Sequence, residues 1–225
     1  STGNGGTGGV AGGGGSSGLY HRVLLARGPT AANVLAAQPA NPRAAQAAAW
    51  VVFADSSGTA EALAGKLRGR GDRVVMVNPG AEYQRRGPDW FEIRAAEPAD
   101  MTRLLADLSA NGDGPVARFV HCWALEANGL DDIGLSQLDR AESFACHTVL
   151  HLVQALAAGR AAEPVRIWLV TNGAQAIWPG QKVSLSQSML WGLGRVLINE
   201  QPSLRCRLID INQAAAERSE DHTYE

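Results

Sequence analysis

The stretch WVVFADSSGTAEALAGKLRGRGDRVVMVN, residues 50–78, decides the fold class. It begins with the unbroken apolar run WVVFA at 50–54, passes through the turn DSSG at 55–58 into an amphipathic segment, and ends in a second apolar run. Unbroken apolar runs of this length are typical of strands buried on both faces of a parallel sheet. A buried strand, a helix ending at glycine and a second buried strand together predict a βαβ unit.

The same alternation continues on both sides of this unit. Further strands are predicted at 19–28, 90–93, 116–125, 165–171 and 205–211. Helices are predicted at 59–71, 99–112, 136–158 and 186–200. Strands and helices that alternate in this way predict an α/β, Rossmann-like (pseudo-Rossmann) fold, in which a parallel sheet carries helices on both faces.

Two terminal segments flank the predicted domain. Residues 1–18 contain ten of the 26 glycines and no charge, which predicts a flexible linker because too few apolar groups offset its ordering entropy. Residues 213–225 form a charged tail that we expect to fray. The folded domain is therefore predicted to span residues 19–212.

Composition excludes several classes of partner. The net charge of −2 gives no support for binding nucleic acid or an anionic membrane. No apolar run approaches the roughly 20 residues of a membrane span, and no signal-peptide pattern is present. The three cysteines stand singly in apolar segments, which is typical of buried thiols in a reducing compartment. We therefore predict a cytoplasmic protein.

The turn after the first buried strand is where a dinucleotide-binding fold places its glycines. Those glycines let the backbone approach a pyrophosphate at the helix N-terminus. The corresponding sequence, ADSSGTAEALA, has one glycine, Gly58, and an acidic residue, Asp55, at the position of the anion. We predict an ordinary βα turn here and no cofactor site.

A second glycine pair occurs in GLGR, residues 192–195. Gly192 and Gly194 fall inside a predicted helix, so the helix itself uses their backbone N–H groups. Glycines at such positions cost about 1 kcal/mol each relative to alanine and are typical of close packing against a neighbour. We interpret GLGR as a packing feature.

No catalytic or metal-binding constellation is predicted. Short-chain reductases need a tyrosine with a lysine four residues later, because the lysine lowers the pKa of the phenol. None of the three tyrosines meets this requirement. The residue four positions after Tyr20 is Leu24, the residue four positions after Tyr83 is Gly87, and Tyr224 is the next-to-last residue of the sequence. His147 and His151 have metal-ligand spacing but no third ligand. The serines of VSLSQS, 183–188, are interpreted as loop and helix N-cap residues.

Several of these segments together resemble one family. The sequence resembles the N-terminal structural subdomain of the ketoreductase region in modular type I polyketide synthases, over roughly residues 19–212. The blocks that carry the resemblance are WVVFAD at 50–55, VHCWAL at 120–125, CHTVLHLVQALAAG at 146–159, RIWLVTNGAQAI at 166–177 and LSQSMLWGLGRVLINEQPSLRCRLIDI at 185–211. The last two blocks are the most specific.

The resemblance implies a support and not an enzyme. In this family one Rossmann-like half has lost its cofactor site and supports a second half, which holds NADPH and the catalytic tyrosine. We therefore expect no catalytic, cofactor or metal residues here, and a catalytic ketoreductase half as the partner. An interface with that half is predicted at five residues: Leu19, Tyr20, Met189, Trp191 and Leu197.

Two other functions stay open. A self-contained, atypical NAD(P)-dependent short-chain reductase would bind NADPH, and a methyltransferase would need S-adenosylmethionine contacts after the first strand. Within the supporting function, the neighbouring domain in the parent synthase is also open: an enoylreductase, a dehydratase or a methyltransferase. The parent synthase is expected to combine acyl transfer and condensation with NADPH-dependent ketoreduction.

Overall fold

A computed structural model describes residues 24–26, 49–110, 116–127, 135–159, 165–176 and 180–211. The predicted linker 1–18, the interface residues Leu19 and Tyr20, and the tail 213–225 lie outside the described residues. No helix in the described part is long and apolar enough to cross a bilayer.

Eight strands and five α-helices alternate along the described residues. The strands are β1 Leu24–Ala26, β2 Trp50–Phe53, β3 Val74–Pro79, β4 Gln84–Gly87, β5 Trp90–Ile93, β6 Arg118–His121, β7 Arg166–Asn172 and β8 Arg207–Ile211. The helices are α1 Thr59–Gly69, α2 Pro98–Ala110, α3 Leu135–Glu142, α4 Thr148–Ala158 and α5 Leu185–Glu200.

The strands form one sheet in the order β1-β8-β7-β6-β2-β3-β5-β4. Every neighbouring pair is parallel except β4 with β5. The chain builds outward from β2 through β3 to β5, and then returns to place β6 on the other side of β2. The strand order therefore reverses between β2 and β6. The predicted parallel α/β sheet is confirmed.

Side chains from the two faces of the sheet form two separate apolar clusters. On one face, Phe53, Phe91 and Phe119 are fully buried together with residues of α2, α4 and α5. On the other face, Val52 and Val120 are buried together with Leu63 and residues of α1. The alternation of side chains along each strand supplies both clusters, so β2 has to be apolar at every position. This confirms helices on both faces.

Three local features differ from the sequence prediction. β4 was not predicted, because the segment QRRG has no apolar run and lies at the sheet edge. The predicted strand 116–125 ends at His121 and continues as the 3₁₀-helix Trp123–Ala127. The predicted helix 136–158 contains a π-helical turn, Ser143–His147. There the buried hydroxyl of Thr148 donates to the carbonyls of Ala95 and Ser143, at 3.0 Å each.

The two glycines of GLGR have different surroundings. A methyl group added at Gly194 would lie 2.4 Å from Leu208 Cδ2, 3.1 Å from Leu208 Cγ and 3.2 Å from Leu169 Cδ1. Gly194 therefore lets α5 lie directly on β7 and β8, as predicted. Gly192 is exposed, and an added methyl group would meet nothing within 4 Å. The packing interpretation is correct for Gly194 and wrong for Gly192.

This difference gives a matched pair of variants. We expect Gly194→Ala to lower the free energy of unfolding by about 1–3 kcal/mol, because the new methyl overpacks a buried site. Gly192→Ala should raise it by about 0.5–1 kcal/mol, because alanine loses less backbone entropy in a helix. Urea denaturation of both variants measures the difference. Equal effects of the two substitutions would contradict the assigned contact between α5 and the sheet.

Candidate functional site

The candidate site lies where the strand order reverses, at the carboxyl ends of β2 and β6. Open α/β sheets bind their ligands in the crevice at this point. Residues 54–58 follow β2, and Cys122 with the 3₁₀-helix Trp123–Ala127 follows β6. The two connections face each other across the reversal, so their side chains determine what the crevice accepts.

The carboxylate of Asp55 lies at the N-terminus of α1. Its Oδ1 accepts the backbone N–H of Ala60 at 2.7 Å, and its Oδ2 accepts the N–H of Thr59 at 3.2 Å and the hydroxyl of Ser57. Asp55 is 8% exposed. A helix N-terminus attracts one anion through its free N–H groups and its dipole. Here the chain supplies that anion itself.

A second carboxylate bridges the reversal point. Glu126, on the 3₁₀-helix after β6, accepts both the backbone N–H of Ser56 and its hydroxyl, the latter at 2.9 Å. Glu126 was not predicted from the sequence. It lies 70 residues from Ser56, and no motif joins the two. Together with Asp55 it places two carboxylates at the reversal point, where open α/β sheets bind their ligands.

Trp123 covers the same edge from the interior. Its side chain is fully buried, and its Nε1 donates to the carbonyl of Val77 on β3 at 3.2 Å. The ring meets Phe53 and Phe144 edge-on, with centroids 5.3 and 5.8 Å apart. Edge-to-face aromatic contacts of this kind stabilise a packed core. Trp123 thus fills space beside β2 and fixes the 3₁₀-helix that carries Glu126.

Burial changes the pKa of two groups at the end of β6. Complete burial lowers the pKa of His121 to about 3, against the opposing effect of main-chain groups of Phe144 and of His121 itself. Neither ring nitrogen makes a hydrogen bond within the described residues. Burial and the nearby charge of Asp55 raise the pKa of Cys122 well above its usual value. Both groups are therefore neutral at pH 7.

The two histidines with metal-ligand spacing lie together on the outer side of the α3–α4 segment. The rings of His147 and His151 are stacked, with centroids 6.3 Å apart. His147 Nε2 lies 3.5 Å from a carboxylate oxygen of Glu142. Burial and then the neighbouring His147 lower the pKa of His151. Across the described ranges, no three His, Cys, Asp or Glu side chains are grouped so that they could hold a metal ion.

Buried hydrogen bonds join α5 to the ends of β7 and β8. Trp191 Nε1 donates to the hydroxyl of Thr171 at 2.8 Å, and that hydroxyl donates to Asp210 Oδ1 at 2.8 Å. Asp210 also accepts the backbone N–H groups of Ala174 and Gln175, at 2.9 and 3.0 Å. Burial raises the pKa of Asp210 even though these bonds oppose the shift. The network holds the loop after β7 in place.

This packing corrects part of the predicted interface. Trp191 and Leu197 are 2% and 5% exposed and belong to the core of this chain, so they cannot form an open contact surface. Met189, on the same helix, is half-buried. Sequence periodicity did not separate the inner face of α5 from the outer one, because apolar residues lie on both.

The serines that precede and begin α5 bond within the chain. Ser184 occupies the N-cap position, as predicted, but its side chain makes no capping hydrogen bond. Ser188 Oγ lies 2.7 Å from the carbonyl of Ser184, and Ser186 Oγ donates to the carbonyl of Ala127 at 3.3 Å. The Ser186 bond ties α5 to the end of the 3₁₀-helix Trp123–Ala127, whereas the Ser188 bond lies within the first turn of α5.

The parallel sheet with helices on both faces and its reversal point define a Rossmann-like fold, and two carboxylates lie at the carboxyl ends of its central strands. The family described as "Beta-ketoacyl synthase-like, N-terminal" matches residues 49–223, and the chain belongs to this family. That description refers to a synthase, whereas the two solved structures described below carry the names of a ketoreductase-containing module and of a short-chain dehydrogenase/reductase. The fold is established by the structures and the family by the sequence.

Two curated relatives are polyketide synthases. The chain is 34% identical over 138 residues to polyketide synthase GfsA of Streptomyces halstedii, and 33% identical over 94 residues to erythronolide synthase EryA3 of Saccharopolyspora erythraea. These matches cover 60% and 41% of this chain. They span only 2% and 3% of the relatives' own lengths.

Solved structures share the fold. One is a multidomain structure of a keto acid-selecting NRPS module with adenylation, ketoreductase and pseudo Asub domains, matched with a TM-score of 0.64 at 23% identity over 73% of this chain and 13% of that one. Another is a short-chain dehydrogenase/reductase from Brucella ovis in complex with a partially ordered NAD, with a TM-score of 0.53 at 16% identity. It covers 73% of this chain and 82% of the other.

The capping function of Asp55 can be measured directly. We expect Asp55→Ala to lower the free energy of unfolding by about 1–2 kcal/mol, because two N–H groups at the start of α1 lose their acceptor. The control is Asp139→Ala, which removes an exposed carboxylate on α3 and should change stability by less than about 0.5 kcal/mol. Similar values for the two variants in urea denaturation would show that Asp55 does not hold α1.

Proposed function

We propose that this chain is the non-catalytic structural subdomain that supports the NADPH-dependent β-ketoreductase of a modular type I polyketide synthase. The observation that carries the proposal is the acidic reversal point. The fold is that of a reductase, but Asp55 and Glu126 lie where the cofactor's phosphates would bind. Phosphates at that position would be repelled by both carboxylates and would find the first N–H groups of α1 already used.

The outer face of α5 supports a revised partner surface. Leu185, Met189, Gly192 and Val196 follow one another at helical spacing, so they form one stripe along the helix. Leu185 and Val196 are 69% and 48% exposed, Met189 is half-buried and Gly192 is exposed. Apolar side chains grouped on one exposed face are typical of a contact surface. This stripe replaces Trp191 and Leu197 in the proposed interface.

The proposed partner is the catalytic ketoreductase half of the same synthase, which would hold NADPH and the reacting groups. The partner's own apolar helix surface would cover the stripe, and Gly192 would let the two backbones approach closely. Strand β1 pairs with β8 and forms the end of the sheet opposite β4. Leu19 and Tyr20 precede β1 and stay part of the proposed interface. A cytoplasmic location also belongs to the proposal.

Charge introduced into the stripe tests this interface. We expect the double variant Leu185→Asp/Val196→Asp to abolish copurification with a separately expressed catalytic half, because two carboxylates would be desolvated without partners. The control is Trp90→Asp, which changes a side chain that is 50% exposed on β5, far from α5 in the sheet order. Retained copurification of the double variant, or equal loss with Trp90→Asp, would contradict the surface.

Cofactor titration separates the support from the alternative, a self-contained NAD(P)-dependent reductase. We expect isothermal titration of the purified chain with NADPH to show no saturable heat. A reconstituted pair with the catalytic half should bind one NADPH and serves as the positive control. Stoichiometric binding by this chain alone would favour the self-contained reductase and would overturn the proposed function.

A further inference from the structure

A row of arginines lies at the opposite edge of the sheet from the acidic reversal point. Arg118, Arg166 and Arg207 are the first residues of β6, β7 and β8, three adjacent parallel strands. Arg205, exposed and with a φ of 43°, comes two residues before β8. We name these four residues the arginine ridge.

The strand register places three members of the ridge on one face. Arg118 pairs in register with Arg166, and Trp168, two residues further along β7, pairs with Arg207. Side chains two residues apart on a strand share a face, so all three arginines project to the same side. The Arg118 guanidinium lies 5.3 Å from the ring centroid of Trp50 on this side. Adjacent strands are about 4.8 Å apart, so the three arginines start from neighbouring strands, with Arg207 displaced from Arg166 by two residues along the strand direction.

Among the described residues, two aspartates pair with arginines at this edge. Arg118 is 3.8 Å from Asp72, which Arg70 also approaches at 3.9 Å, and Arg73 pairs with Asp89 at 2.7 Å. The backbone N–H groups of Arg166 and Arg205 donate to the carbonyls of Ala117 and Pro202, but their guanidinium groups make no ion pair or hydrogen bond with another described residue. Arg70, Arg73, Arg118, Arg166, Arg205 and Arg207 thus lie at or beside the amino ends of neighbouring strands, in a chain whose overall charge is −2.

Arg166 is the focus of this positive field. Its partial burial, followed by the charges of Arg205, Arg118 and Arg207, lowers the pKa of its guanidinium. A half-buried cation flanked by three others is unfavourable unless an anion compensates it. The base of the ridge is rigid, because Trp50 and Trp168 stack with centroids 5.1 Å apart beneath it. The structure therefore maintains a fixed array of donors at a cost in stability.

We propose that the arginine ridge is a binding surface for an acidic segment of another domain of the same polypeptide. Guanidinium groups bind carboxylates through paired, charge-assisted hydrogen bonds, and a line of them fits a row of carboxylates. The surface is spread over three strands, which suits an extended protein segment better than a compact phosphate group. The chain's net charge of −2 argues against a nucleic acid. A tethered acidic segment reaches high effective concentration, so modest intrinsic affinity is sufficient.

The test uses the full 225-residue chain and a hexaglutamate peptide as the probe. We expect saturable binding that weakens as salt is raised from 50 to about 300 mM, because exposed charges are screened. The double variant Arg166→Gln/Arg205→Gln should lose about tenfold or more in affinity, as expected when charge-assisted bonds are removed. The control Arg68→Gln, which breaks an exposed ion pair with Glu61 on α1, should leave affinity unchanged. Arg166→Gln alone should also raise the melting temperature, because it removes the repelled charge.

Three results would overturn the inference. These are absence of peptide binding by the unaltered chain, equal peptide binding by the double variant, and tighter binding of inorganic triphosphate through the same arginines, which would make the ridge a phosphate site. Folding of the variants is checked by the same thermal unfolding curves. The peptide assay does not include the catalytic half. A negative result in this assay would therefore overturn the ridge and leave the proposed supporting function unchanged.

Discussion

The contact between the Asp55 carboxylate and the N-terminus of α1 is the constraint on which the rest of the structure depends. In an open α/β sheet the helix after the first central strand presents unpaired N–H groups to the reversal point. In a reductase that binds a dinucleotide, these N–H groups are free to contact the cofactor. Here Asp55 accepts the N–H groups of Thr59 and Ala60, and Glu126 joins the opposite connection to Ser56. The N-terminus of α1 is therefore satisfied by a carboxylate of the chain itself.

Helix α5 divides two functions between its faces. Gly194 allows the helix to lie on Leu208 and Leu169, and Trp191 hydrogen-bonds Thr171 in the interior. Leu185 and Val196 leave apolar area on the outside. An apolar residue on such a helix therefore does not reveal which side it serves. The inner face is identified by the hydrogen-bonded indole of Trp191 and by the absence of room for a methyl group at Gly194. The outer face is identified by the exposure of its side chains.

The sequence was sufficient for the architecture and for one half of the site. Buried strands such as β2 and β3 can be predicted from their unbroken apolar runs, and Asp55 comes directly after the first of these runs. Glu126 could not be found in this way, because its contact with Ser56 depends on how two connections meet after folding. The π-helical turn was not predicted for a similar reason. It is accompanied by a hydrogen bond from the hydroxyl of Thr148 to the carbonyl of Ala95, which is distant in sequence. Trp191 and Leu197 were assigned to the interface although they are buried in the core, because helical periodicity shows which residues are apolar but not how far each is buried.

The antiparallel strand β4 has a consequence for any assembly that contains many copies of this fold. It ends the sheet with two exposed arginines, Arg85 and Arg86, and an irregular register before Gly87. Charged, irregular margins discourage a further strand from adding by backbone hydrogen bonds. In a long polypeptide whose modules lie close together, such a terminus stops neighbouring sheets from fusing into a continuous ribbon. Addition of a foreign strand beside β4 is thereby disfavoured.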